Sequence, residues 1–210
     1  MIEVHHLNNS RSQRILWLLE ELAAPYRIVK YQRDAKTMLA PPELKAIHAL
    51  GKSPVIRDGE QVIAESGAII EFLVEKYGAG KFVPPKDTPA FASYRYWMHY
   101  AEGSFMPPLL IKLYLSRIGE PAKPLLERVD RQIQMHLDFI ESELKSKSYV
   151  AGEEFTAADV QLSFPAEFAL GRGDLQDRQP QLRRWLQRLH ARPAYVRALE
   201  KGGTYAYAKD

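Results

Sequence analysis

A proline at the start of a short hairpin is the feature that most constrains the fold of this chain. The stretch from Leu50 to Ser66 holds two β-branched pairs, Val55-Ile56 and Val62-Ile63, separated by the turn dipeptide Asp58-Gly59. An Asp-Gly turn between apolar runs predicts a β-hairpin. Pro54 stands at the first position of the first strand, where proline is tolerated because it has no ladder donor to lose.

The two ends of this hairpin suit a peptide-like ligand. If the Ser53–Pro54 bond is cis, the backbone of Ser53 can face out of the sheet and pair with a ligand backbone. At the other end Glu65 and Ser66 precede an apolar helix, whose free N–H groups favour a carboxylate. The Ser66 hydroxyl can add a hydrogen bond, and the Glu65 carboxylate can meet an ammonium. Glutathione has this combination of backbone, amine and carboxylate.

The N-terminal residues predict a βαβ unit. Residues 2–7 and 26–31 have the pattern of strands, and residues 12–22 have that of a helix. Parallel strands need such a helical crossover. The loop at 8–12 lies beyond the carboxyl end of the first strand, where α/β units bind ligands, and just ahead of a helix N-terminus. A serine in this loop can donate a hydrogen bond to a thiolate that the ligand brings, or it can cap the helix.

The second half of the chain reads as helix only. Glycines and prolines between 78 and 87 predict a linker. A long helix is expected from Pro89 to Ser116, with a bend near Met106-Pro107-Pro108. The switch from mixed to helical patterning predicts two domains. We place them at residues 1–78 and 89–210, with residues 79–88 as the linker.

A helix start with a folding role is predicted near residue 156. Thr156 and Asp159 have the spacing of a capping box, and Phe155 and Val160 are placed as a hydrophobic staple. The helix that follows, to about Leu170, is largely apolar and should be buried.

The absence of cysteine restricts the chemistry. The chain has none, which excludes a disulfide framework, a thiolate metal site and a protein-thiol nucleophile. Any reactive thiol must therefore arrive with the ligand. The histidines lack metal-ligand spacing, and the side chains of His5 and His6 point to opposite faces of a strand. We expect no metal.

Charge and hydropathy bear on partners and location. The net charge of +3 is weak evidence for an anionic partner. Arginines crowd the last part of the chain and form either a nucleic-acid patch or the solvated face of two helices; we favour the second and expect no nucleic acid. These arginines are Arg172, Arg178, Arg183, Arg184, Arg188, Arg192 and Arg197.

No apolar run is long enough for a membrane span, and the N-terminus does not resemble a signal peptide, so we expect a cytoplasmic protein.

These motifs occur together and in order. The serine loop Ser10-Arg11-Ser12-Gln13-Arg14, the Ser53-Pro54-Val55 hairpin, Glu65-Ser66, the linker and the 155–159 capping motif cover nearly the whole chain. In this order they resemble the cytosolic glutathione transferase family, in the serine-type form found in bacteria and fungi. The resemblance implies a thioredoxin-like βαβ-ββα domain (α/β) followed by an all-α domain. The tyrosine- and cysteine-dependent classes of the family are poor models for this chain, because no tyrosine stands at the end of the first strand and the chain has no cysteine.

The resemblance also implies a site. Ser10 would be the catalytic hydroxyl, and we favour Ser12 as the helix cap. Glutathione would be the co-substrate, with Lys52 near its glycine carboxylate, although a solvated lysine is an equal alternative. The glutathione-binding residues implied are Lys52, Ser53, Pro54, Glu65 and Ser66. An apolar electrophile pocket is expected along the aromatic-rich helix after Pro89, with Asn9, Tyr100, Glu102, Phe105 and Met106 as its candidates.

Several functions fit this reading. The first is a glutathione S-transferase with a role in detoxification, working as a homodimer. A second is a glutathione-dependent peroxidase, isomerase or disulfide reductase with the same thiol chemistry. A third is a non-catalytic interaction module, against which the intact set of Ser10, Ser53 and Glu65-Ser66 argues.

Overall fold

A computed structural model describes residues 1–171 and 178–208, and internal contacts divide the chain into two units. Of the described residues, the first unit comprises 1–83 together with 189–208, and the second comprises those between 84 and 188. Of the late arginines, Arg172 lies outside the described residues. Among the described helices, none is both long enough and apolar enough to cross a membrane.

The first unit is built on a four-stranded sheet with the strand order β2-β1-β3-β4. Its strands are β1 (Ile2–Leu7), β2 (Tyr26–Tyr31), β3 (Val55–Asp58) and β4 (Gln61–Ala64). β1 and β2 are parallel, whereas β3 runs antiparallel to both β1 and β4. The predicted βαβ unit and the predicted hairpin are therefore confirmed.

The helices of the first unit are α1 (Ser12–Glu21), α2 (Leu44–Ile47), α3 (Ser66–Tyr77) and α9 (Pro193–Gly202). α1 buries an apolar stripe because Ile15, Leu18 and Leu19 recur at helical spacing, and all three are fully buried. α3 likewise buries Ile69, Ile70 and Leu73. These helices, with the sheet, form the thioredoxin-like half that the sequence predicts.

The C-terminal segment belongs to the first unit, contrary to the expected division at residue 89. α9 packs along α1, and three ion pairs join α1 to α9 and to the residue just before it. Arg192 makes a two-point pair with Glu21, with nitrogen–oxygen distances of 2.6 and 3.0 Å. Arg197 Nε lies 2.8 Å from a Glu20 carboxylate oxygen, and Lys201 pairs with the same carboxylate. The sequence of α9 has the same helical pattern as the segments before it, so the pattern does not reveal that α9 belongs to the first unit. The long-range contacts with α1 do.

The second unit is helical. It contains α4 (Pro89–Tyr100), α5 (Met106–Leu115), α6 (Lys123–Glu143), α7 (Ala157–Leu170) and most of α8 (Pro180–His190). A π-helical turn, Ala101–Phe105, separates α4 from α5, and a short 3₁₀ turn, Glu120–Ala122, precedes α6. The structure has a π-turn where the bend near Met106 was expected: the Met106 N–H donates to the Ala101 carbonyl, and Pro107 and Pro108, which have no N–H to donate, follow in the first turn of α5.

The predicted capping box is present at the start of α7. Asp159 Oδ2 accepts hydrogen bonds from the Thr156 backbone N–H at 2.8 Å and from the Thr156 hydroxyl at 3.1 Å. α7 is buried from Ala157 to Ala169, as its apolar sequence predicts.

Candidate functional site

The register of the sheet brings three separated segments to one of its ends. β1 finishes at Leu7, and the antiparallel register pairs His5 with Val55, the first residue of β3. Val55 in turn pairs with Ala64, the last residue of β4. The loop after β1, the segment before β3 and the segment after β4 therefore emerge together at this end.

The loop after β1 buries two serines against each other. Ser10 Oγ lies 2.7 Å from Ser12 Oγ and accepts a hydrogen bond from the Ser12 backbone N–H at 3.2 Å. The expectation that Ser12 caps α1 is wrong: Ser12 is the first residue of the helix, and the preceding Arg11 makes no side-chain cap. Instead the Ser12 side chain turns to β1, where its oxygen accepts from the Leu7 N–H at 3.2 Å.

A buried histidine completes this cluster. His6 Nδ1 lies 2.9 Å from Ser12 Oγ. Burial, followed by the nearby charge of Lys30, lowers the pKa of His6 to about 4, and a backbone hydrogen bond with Gly202 opposes the shift. His6 is therefore neutral at pH 7. The sequence indicated only that His5 and His6 point to opposite faces of the strand. It did not show that the His6 ring meets Ser12, six residues later, and the backbone of Gly202.

The segment before β3 presents backbone rather than side chain. The Ser53–Pro54 peptide is cis, as the predicted ligand mode requires. The Ser53 hydroxyl donates to the His5 carbonyl at 2.9 Å, so that side chain holds the segment to β1. Pro54 is buried, and Lys52 is exposed.

The segment after β4 places a carboxylate beside a helix N-terminus. Glu65 is exposed and adopts a φ of 71°, a region that non-glycine residues rarely occupy, and Ser66 is the buried first residue of α3. Such strain is maintained only where the surrounding structure determines it, and it clusters at functional sites. The first N–H groups of α3, the Ser66 hydroxyl and the Glu65 carboxylate form a place for a zwitterionic group.

Asn9 connects the same loop to the C-terminal segment. Its side-chain oxygen accepts a hydrogen bond from the Ala206 backbone N–H at 2.8 Å, and its φ of 49° is left-handed. Asn9 was expected to line an electrophile pocket. Its amide oxygen already holds the segment that follows α9, a contact between residues 197 positions apart that local sequence does not reveal.

The second unit holds the remaining predicted pocket residues. The Tyr100 hydroxyl lies 2.6 Å from His136 Nδ1, and burial raises the pKa of Tyr100. Phe105 and Met106 are almost fully buried, and Glu102 is half-buried. A cavity of about 310 Å³ adjoins this group and is lined by Ser104, Pro107, Pro108, Ile111, Gln132, Met135 and His136. None of the four predicted residues lines that cavity, and Tyr100 reaches its wall only through His136.

The described residues contain no group of three or more histidine, cysteine, aspartate or glutamate side chains arranged to hold a metal ion. The polar groups at the end of the sheet are instead a hydroxyl pair, a cis-proline backbone and a helix N-terminus, which suit an organic ligand with charged ends.

Comparison with known proteins agrees with this geometry. Residues 1–75 match the family described as "Glutathione S-transferase, N-terminal domain", and residues 96–193 match "Glutathione S-transferase, C-terminal domain". The chain is 37% identical to "Glutathione S-transferase 3" of Schizosaccharomyces pombe over 218 residues, which cover 96% of this chain and 88% of the relative.

Solved structures give the same result. A glutathione S-transferase from Actinobacillus pleuropneumoniae is 36% identical and superposes with a TM-score of 0.90, covering 98% of this chain and 94% of its own. A glutathione transferase homologue from Sulfitobacter, solved with bound glutathione, is 25% identical with a TM-score of 0.82, covering 96% and 98% of the two chains. Motif order, fold and these relatives agree, and the chain belongs to the glutathione S-transferase family.

Proposed function

We propose that this glutathione S-transferase ionises the thiol of glutathione beside Ser10 and that the thiolate attacks an apolar electrophile. A carbon–sulfur bond forms, the leaving group of the electrophile (halide from an aryl halide) departs, and the whole glutathionyl group is transferred. The observation that carries the proposal is the position of Ser10: it is buried in the loop after β1, at the same end of the sheet as Ser53–Pro54 and Glu65-Ser66. A free cysteine thiol has a pKa of about 8.5 and is mostly protonated at neutral pH. A hydroxyl donor and the N-terminus of α1 both stabilise the thiolate.

The rest of glutathione is assigned to the other two segments. The backbone of Ser53 pairs with the peptide of the ligand, and the N-terminus of α3 with Ser66 receives the γ-glutamyl carboxylate. Glu65 meets the ammonium, and Lys52 meets the glycine carboxylate. The bound glutathione of the Sulfitobacter relative supports this choice of ligand.

The electrophile is assigned to an apolar site of the second unit, with Tyr100 and Glu102 as its candidate residues. Phe105 and Met106 support this site from the core and do not contact the ligand, because their burial leaves almost no surface for it. Peroxide reduction, isomerisation and disulfide reduction use the same thiolate and differ only in the second substrate.

A binding and turnover assay tests the proposal. The purified chain should be retained on immobilised glutathione, be eluted by free glutathione, and conjugate glutathione to a generic aryl halide. Retention without turnover of aryl halides, but with turnover of a peroxide or disulfide, would replace the transferase reaction with one of the alternatives. Retention without any turnover would favour a binding module.

We also propose a homodimer in the cytoplasm. Large apolar side chains remain exposed on the second unit, including Tyr96 and Phe139 on α4 and α6 and Met135, which is 70% exposed. Aromatic residues and methionine are enriched in buried interfaces. Sedimentation at micromolar concentration should give about twice the 24.0 kDa chain mass. A fully active monomer would contradict the dimer, and cell fractionation tests the location.

A further inference from the structure

A row of hydrogen-bonding groups runs inward from Ser10. Ser10 Oγ contacts Ser12 Oγ at 2.7 Å, and Ser12 Oγ contacts His6 Nδ1 at 2.9 Å. The backbone of Gly202, the last residue of α9, hydrogen-bonds the His6 ring. All three side chains are at least 95% buried. The row therefore joins the predicted catalytic hydroxyl to a histidine that no substrate would reach.

The His6 ring determines where each hydrogen in this row points. The hydrogen bond with Gly202 raises the pKa of His6, as a carbonyl does when it accepts from a ring N–H. Because Nδ1 faces Ser12, the donating nitrogen is Nε2. A neutral ring carries one hydrogen, so Nδ1 is an acceptor. Ser12 then donates its hydroxyl hydrogen to His6 and accepts the hydrogen of Ser10.

His6 does not act as the base that removes the thiol proton. Burial and the charge of Lys30 hold its pKa at about 4, whereas a free thiol has a pKa of about 8.5. A difference of about four units leaves the proton off the ring. Nδ1 of His6 therefore accepts throughout the reaction, and the influence of His6 on the thiol passes through the orientation of two hydroxyl groups.

We propose that His6 is a positioning residue that, through Ser12, holds the hydroxyl hydrogen of Ser10 away from the bound thiol and so opposes ionisation of glutathione. This inference rests on the proposed role of Ser10. In the resting row Ser10 offers oxygen lone pairs to the ligand and accepts the thiol S–H. To donate to the thiolate, Ser10 must turn its hydrogen away from Ser12, which breaks a buried hydrogen bond.

Removal of the His6 acceptor releases this restraint. In a His6→Leu variant the Ser12 hydrogen has two remaining acceptors, Ser10 Oγ at 2.7 Å and the Leu7 carbonyl at 3.3 Å. The shorter contact is the better hydrogen bond. Once Ser12 donates to Ser10, the hydrogen of Ser10 points to the ligand without further loss. His6 thus moderates the acidity of the bound thiol.

The experiment is a titration of bound glutathione, followed by the ultraviolet absorbance of its thiolate and by the pH profile of kcat/KM. In His6→Leu the thiol pKa should fall by roughly half a unit to one unit, a three- to tenfold change in the ionisation equilibrium. His5→Leu is the matched control, since His5 is equally buried on the same strand but faces Tyr31, 2.9 Å away. The control should leave the thiol pKa unchanged.

A double-variant cycle tests the route through Ser12. In a Ser12→Ala background, His6→Leu should cause no further shift. The same shift in that background, or an unchanged or raised thiol pKa in His6→Leu, overturns the proposal. Ser10→Ala separates the two hypotheses: if it leaves the wild-type thiol pKa unchanged, the assigned role of Ser10 fails first.

A measurement without substitution keeps the inference testable if a variant does not fold. Nitrogen-15 NMR of the histidine rings in the wild-type protein distinguishes the tautomers. At neutral pH His6 should carry its hydrogen on Nε2. A hydrogen on Nδ1 would reverse the direction of the hydrogen bonds from His6 to Ser10 and overturn the proposal.

Discussion

The indole nitrogen of Trp185 donates a hydrogen bond to Oδ1 of Asp159 over 2.9 Å, which connects α8 to the first turn of α7. The same oxygen accepts a hydrogen bond from the Val150 backbone N–H at 3.0 Å, while the second oxygen, Oδ2, accepts one from the Thr156 backbone N–H. One carboxylate therefore closes the capping box and also ties two other segments of the second unit to it.

Asp159→Asn should destabilise the protein by roughly 3–5 kcal/mol. The amide NH₂ that replaces one carboxylate oxygen cannot accept hydrogen bonds, so the buried donors that face this oxygen lose their acceptor. Urea unfolding and thermal melting measure the loss. Asp130→Asn is the control: Asp130 is half-exposed and pairs with Lys112 at the surface, so a change under about 1 kcal/mol is expected. Equal stability of both variants would contradict the role assigned to Asp159.

Ser10→Ala should lower kcat/KM roughly 10- to 1000-fold, the range seen when a donor to a developing anion is removed. Its circular dichroism should stay that of the wild type. Ser12→Ala should instead lower the melting temperature, because the Leu7 N–H and His6 Nδ1 lose their shared partner. If Ser12→Ala abolishes turnover in a stable protein while Ser10→Ala is fully active, the two serines have been assigned in the wrong order.

Glu65→Gln and Ser66→Ala should raise the KM for glutathione more than they lower kcat, since the γ-glutamyl end changes little in the transition state. Gln keeps the β-carbon at the positive φ of 71°, so only the charge is removed. Glu60→Gln, at the exposed hairpin turn, is the control. Steady-state kinetics with a reduced kcat and an unaltered KM would argue against ground-state binding by these residues.

Glu20→Gln should lower stability by roughly 2 kcal/mol at pH 7. Burial opposes ionisation of Glu20, but hydrogen bonds from Lys201, Tyr26 and Arg197 outweigh it and lower the pKa to about 2. A lowered folded-state pKa stabilises the fold above the ordinary pKa near 4.5 and loses that contribution as pH falls towards 2. Calorimetry from pH 7 to pH 2 should therefore show the two proteins converging. Glu127→Gln, at an exposed position, is the control. A difference between Glu20→Gln and the wild type that stays constant over this pH range would exclude the linkage.

Local sequence sufficed for most of the fold. The Asp58-Gly59 turn, the alternation in β1 and the Thr156–Asp159 spacing each specify structure within a few residues, and the structure has all three where they were expected. α9 was placed in the wrong half because its partners, Glu20 and Glu21, lie about 170 to 180 positions earlier. Helical periodicity states which face of α9 is apolar, but it does not state which helix covers that face.

The candidate site likewise has residues that local sequence predicts and residues that it does not. The hairpin residues Ser53, Glu65 and Ser66 could be found because turn and helix-start signals surround them. His6 could not, since a histidine in a buried strand has no local pattern that separates a structural role from a functional one. Ser12 was misassigned because a serine at a helix start usually caps it; here a donor on β1, the Leu7 N–H, takes the side chain instead.

The pairing of α9 with α1 has a consequence for synthesis. Trp17 on α1 is buried in edge-to-face contact with Tyr195 on α9, with ring centroids 5.1 Å apart. Ribosomes add roughly 5–20 residues per second, so α1 and the sheet leave the ribosome many seconds before α9 exists. During that interval Trp17 lacks the ring of Tyr195, and Glu20 and Glu21 keep only Tyr26 and Trp17 as partners, without the cations of the C-terminal segment. The half of the protein that is translated first is therefore completed last, and a chaperone that shields α1 has its longest opportunity in that interval.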